Sequence, residues 1–90
     1  MHQIELVPDL SHCIETVAKK EYQETIKRLL NTVETSNELE EKAEILRLFL
    51  QAANFKKLRT ESEKYLASGR KVKFVVYLQN GTPRYNIQEA

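Results

Sequence analysis

An α+β domain, three helices followed by a C-terminal antiparallel hairpin packed on them, is the fold this sequence predicts. Three observations predict it. Apolar residues recur at helical spacing from Leu10 to Ala53 and again from Phe55 to Leu66. Asn80-Gly81 then separates two runs that alternate with period two. Finally, 90 residues make one domain, residues 1–90, large enough to bury a core without disulfide or metal staples.

In chain order, His2–Val7 places Ile4 and Leu6 on one side of an extended segment, either a third strand or an arm. Pro8 disfavours helix at Val7, and Asp9 is a fair N-cap. A first helix over residues 10–34 follows, with a stripe of Leu10, Ile14, Val17, Ala18, Tyr22, Ile26, Leu29, Leu30 and Val33. At a rise of 1.5 Å per residue it would run about 37 Å. That length implies either a break around Lys19-Lys20-Glu21 or a stripe that meets a second subunit. A capping box, Thr35 with Glu38 or Asn37 with Glu40, starts a second helix over 37–53. Its wide apolar face, with Leu39, Ala43, Leu46, Leu50 and Ala53 flanked by Ile45, Leu48, Phe49 and Ala52, needs more than one neighbour. Glu38 and Lys42 stand at i, i+4 spacing.

Asn54 caps a third helix over 55–68, with Phe55, Leu58, Tyr65 and Leu66 inward and Gly69 ending it. The hairpin, residues 71–79 and 82–88, is the best-determined element. Both centres of a two-residue type I′ turn need positive φ, which Asn80 and Gly81 tolerate. Counting outward from the pair Gln79–Thr82, one face carries Val72, Phe74, Val76, Leu78, Tyr85 and Ile87. The other carries Lys73, Val75, Tyr77, Arg84, Asn86 and Gln88. Pro83 falls where its missing N–H points away from the partner strand, as an edge strand allows.

The composition, 41% hydrophobic and 30% charged, is that of a folded soluble protein rather than a disordered one. No apolar run of about 18 residues offers a membrane span, and no basic segment precedes an apolar one as in a signal peptide. Cys13 is the sole cysteine, so no internal disulfide is expected, and a reducing cytoplasm fits. Charge is uneven. Residues 1–53 hold six Lys/Arg against ten Asp/Glu, and residues 54–90 hold eight against three, which together give the net +1.

Catalytic signatures are missing from the pattern. Two glycines cannot build a phosphate loop, and one cysteine with two histidines cannot build the common zinc sites. His12 and Glu15 flank Cys13 but read as a solvated first turn. Glu38, Glu40, Glu41 and Glu44 complement the dipole of the second helix more simply than they hold a metal. Neither an enzyme nor a cofactor is expected.

Two functions remain. A protein-interaction module of homodimeric habit follows from the long first helix, the wide second one, and apolar groups on the outer hairpin face. That face is the candidate interaction surface: Lys73, Val75, Tyr77 and Arg84. The alternative is a nucleic-acid binder using Lys56, Lys57, Arg59, Arg70, Lys71, Lys73, Tyr77 and Arg84, with cations on phosphates and Tyr77 stacking on a base. The order helix, helix, helix, hairpin is similar to that of a winged-helix module, which implies a third helix in the major groove and the hairpin as wing. Against it, the junction Gln51-Ala52-Ala53-Asn54 lacks a glycine, and Glu61 and Glu63 dilute the third helix.

Overall fold

The computed structural model describes residues 3–31 and 37–90. Its elements are β1 (Ile4–Leu6), α1 (Ile14–Asn31), α2 (Asn37–Ala52), α3 (Phe55–Leu66), β2 (Val72–Gln79) and β3 (Thr82–Glu89). The three strands form one antiparallel sheet in the order β1-β2-β3, so the N-terminal segment is a strand and the hairpin's first strand lies at the centre. The hairpin register follows the turn, with Gln79 opposite Thr82, Val75 opposite Asn86 and Phe74 opposite Ile87. Asn80 and Gly81 take φ of 53° and 77°, the left-handed values a type I′ turn requires. β1 adds to the other side of β2 with Ile4 opposite Val76 and Leu6 opposite Phe74.

The helices stack on one side of this sheet. Ile14 and Ala18 of α1, Ile45, Leu46 and Phe49 of α2, and Leu58 of α3 share a core with Ile4, Leu6, Val72, Phe74 and Val76. Phe49 lies at its centre, its ring edge-on to Phe55 at 5.6 Å and to Tyr85 at 6.5 Å. Because α2 contacts both α1 and the sheet, Ala43, Ile45, Leu46 and Phe49 of its wide apolar face are buried inside the chain, whereas Leu39 and Leu48 are half-buried and Ala52 is exposed.

Three expectations about the helices are corrected and one alternative is decided. The first helix begins at Ile14, not Leu10. The Asp9 carboxylate accepts the N–H groups of Ser11 and His12 at 2.8 and 2.7 Å, and Asp9 N–H donates to the His12 carbonyl, closing a turn. Leu10 is consequently 84% exposed. No break occurs at Lys19-Lys20-Glu21, through which α1 is continuous. Leu30, expected on the stripe, is 81% exposed because five residues at about 100° each turn it away from buried Thr25. Thr25 is accommodated by donating its hydroxyl to the Glu21 carbonyl at 2.8 Å. Lys42 pairs with Glu21 of α1 rather than with Glu38. Val33, Glu34 and the Thr35 capping box lie outside the described residues.

The ends of α3 are as the residues dictate. The Asn54 side chain accepts the Lys57 N–H at 3.2 Å. At the other end, Gly69 N–H donates to Leu66 and Arg70 N–H to Tyr65, a Schellman pattern with Gly69 at φ 76°.

Phe49→Ala is expected to cost about 3–5 kcal/mol, since it empties a ring-sized volume that two aromatic neighbours cannot collapse into. Leu30→Ala should stay within about 0.5 kcal/mol. Urea unfolding of both variants beside the parent checks the contrast.

Candidate interaction face

With all three helices on one side, the other side of the sheet has no helix over it among the described residues. The register puts Glu5 of β1, Lys73, Val75 and Tyr77 of β2, and Arg84, Asn86 and Gln88 of β3 on that face. Lys73 Nζ reaches across to Glu5 Oε1 at 3.4 Å, a half-exposed ion pair that ties β1 to β2. Tyr77 is half-buried and Arg84 is exposed. Val75, expected to be left wet, is only 5% exposed. On the central strand, Glu5 and Asn86 flank it laterally while Lys73 and Tyr77 flank it along the chain, and these longer side chains shield a short valine. Tyr77 is therefore the outer face's accessible apolar group.

The structure brings together some of the candidate cations and separates others. Lys73 and Arg84 share the outer face with Tyr77. Lys56, Lys57 and Arg59 belong to α3, in the helix layer on the far side of the sheet, where Arg59 pairs with Glu63 at 3.6 Å. Arg70 and Lys71 lie in the connection between α3 and β2, and the Arg70 guanidinium sits 5.0 Å from the centre of the Tyr65 ring. The basic residues of the second half thus do not form one stripe.

Glu5 is the outer-face residue that sequence reasoning missed. The alternation of Ile4 and Leu6 placed it opposite the apolar side, but only the pairing with β2 sets it beside Lys73.

Cys13 has a second local environment. It stands just before α1, its carbonyl accepting the first helical N–H, from Val17, at 3.0 Å. Its Sγ shares a 3.3 Å hydrogen bond with the Thr16 hydroxyl. That bond, then the Thr16 and Glu15 N–H groups and the Arg59 charge, hold the thiol below its ordinary pKa, with burial opposing. The adjoining cleft, about 270 Å³, is lined by Cys13, Ile14, Glu15, Phe55, Lys56 and Arg59. It is at the lower limit of small-molecule sites. Among the described residues no group of three or more His, Cys, Asp and Glu side chains is placed to hold a metal ion. Among them, too, no helix is long and apolar enough to cross a membrane.

A protein-family model matches residues 3–87. The chain belongs to that family. The match takes in β1, the three helices, β2 and all but the last two residues of β3. No curated protein and no solved structure gives a significant match.

Because hydrogen bonding to Thr16 favours the thiolate, alkylation of Cys13 should switch on at lower pH than for an unperturbed thiol. Thr16→Val should move that onset upward. Iodoacetamide labelling rates measured across pH read the difference, and identical profiles for the two proteins would show that the Thr16 contact is inconsequential.

Proposed function

We propose that this protein is a small, non-enzymatic, cytoplasmic interaction module that works as a homodimer and presents the uncovered side of its sheet to a protein partner. The observation that carries this reading is the two-layer arrangement: helices cover one face, while the opposite face and the far side of β3 have no covering element among the described residues. The outer face suits a protein partner better than a polyanion. It carries both signs of charge, with Glu5 against Lys73 and Arg84, and an accessible tyrosine between them. Two sequence features that first favoured a dimer, the long first helix and the wide second one, contribute less than the sequence suggests. Their core-facing residues are accommodated within the chain, while Leu10, Leu30 and Ala52 are exposed and Ile26, Leu29, Leu39 and Leu48 are half-buried.

The nucleic-acid reading has less support. A helix in a groove and a flanking hairpin need their cations on one side of the protein, whereas Lys56 and Lys57 stand in the helix layer and Lys73 and Arg84 on the outer sheet face. Lys73 and Arg59 are moreover engaged by Glu5 and Glu63.

Analytical ultracentrifugation, with and without a mixed-sequence labelled oligonucleotide, tests the choice. The expected result is a dimer that changes little with salt and ignores the oligonucleotide. In that case Lys73→Glu/Arg84→Glu should leave self-association within about threefold, as exposed charges contribute little. A monomer that takes up the oligonucleotide and releases it steeply as salt rises would overturn the proposal.

A further inference from the structure

β3 is hydrogen-bonded along one side only among the described residues, because β1 occupies the other side of β2. In the alternation set by the turn, Thr82, Arg84, Asn86 and Gln88 direct their backbone groups toward β2. The N–H and C=O groups of Tyr85, Ile87 and Glu89 therefore point outward, as does the Pro83 carbonyl. Such a row is a ready template for another strand unless it is broken by a bulge, a proline or charge. The pairing of β3 with β2 is unbroken from Thr82 to Glu89, so no bulge twists the edge away. Pro83 is the strand's one proline, and it lies at the turn end, beyond the three outward donors.

From this edge we infer that two copies join β3 to β3 in antiparallel register about a two-fold axis at Asn86, giving one continuous six-stranded sheet. The inference rests on the self-association part of the function proposed above and assigns its geometry. The strand is complementary to itself in this register. Tyr85 lies opposite Ile87 of the second copy and exchanges both backbone hydrogen bonds with it. The Pro83 carbonyl meets the Glu89 N–H, so the one missing donor falls at the end of the ladder. Arg84 faces Gln88, Glu89 faces Pro83, and no like charges oppose each other. Asn86 faces its own copy, and a carboxamide both donates and accepts. On the helix side, half-buried Tyr85 and Ile87, both packed against the core, gain cover from their counterparts. The outer faces of the two copies become one platform with Tyr77, Lys73 and Arg84 repeated across the axis.

Ile87→Pro isolates this edge. The Ile87 N–H points away from β2, as the Pro83 position does, so the substitution removes an outward donor and spares the hairpin ladder. Sedimentation across protein concentration should show the parent dimerising and Ile87→Pro weakened at least tenfold, with Tyr77→Asp little changed. Amide exchange by NMR provides a readout independent of that variant's folding. The Tyr85, Ile87 and Glu89 amides of the parent should gain protection as concentration rises. A parent that dimerises without protecting those amides, or whose dimer resists a folded Ile87→Pro and fails with Tyr77→Asp, would overturn the edge geometry while leaving a homodimer. A parent that stays monomeric at every concentration would overturn the homodimer itself.

Discussion

The structure depends on the placement of β2 between two antiparallel neighbours. Residues Phe74, Val75 and Val76 are paired on both sides, with Leu6, Glu5 and Ile4 on one and Ile87, Asn86 and Tyr85 on the other. An extended chain satisfies its backbone polar groups only by such pairing, and only then can its apolar side chains be buried without leaving those groups unbonded. Val72, Phe74 and Val76 are accordingly fully buried and form the floor on which all three helices rest. A slip of one residue would exchange that floor for Lys73, Val75 and Tyr77.

A sheet of three strands and three helices has a consequence for the surface. The helices suffice to cover one face, and the buried part of their apolar stripes is used in doing so. What remains is a face held together by polar neighbours. The Glu5–Lys73 pair joins the acidic first half of the chain to the basic second half, and it shields Val75 between longer side chains. An exposed pair of this kind contributes at most about 1 kcal/mol. Its larger effect is on the composition of the face, because it leaves Arg84 and half-buried Tyr77 as the unpaired side chains at the turn end among the described residues.

The edge of β3 poses the opposite problem. Strand edges in monomers are usually blunted, and this one carries Pro83 and Arg84 beside its turn and Glu89 at its far end, with Tyr85, Asn86 and Ile87 uncharged between them. The physical asymmetry of the domain, a covered face, a polar face and an open edge, is what the proposed association rests on. The Cys13 environment stands apart from it: a thiol beside the first turn of α1 whose pKa is lowered chiefly by its hydrogen bond with the Thr16 hydroxyl.

The hairpin was legible residue by residue, because Asn80-Gly81 sets the turn and the two-residue alternation sets the faces. The same holds for the ends of α3, where Asn54 and Gly69 act on backbone groups three to five residues away. These are local rules, and the sequence by itself determined them, together with the three helices and the absence of common catalytic motifs. Other features were decided only by tertiary structure, because they depend on which segments meet. Ile4–Leu6 became a strand only by finding the free side of β2. Lys42 chose Glu21 over the nearer Glu38 once α2 lay on α1. Leu10 was lost from its helix to a turn closed by Asp9, and Val75 was shielded by neighbours from two other strands. The outer face itself, as a surface including Glu5 and excluding Lys56 and Lys57, exists only after residues some seventy positions apart are brought side by side.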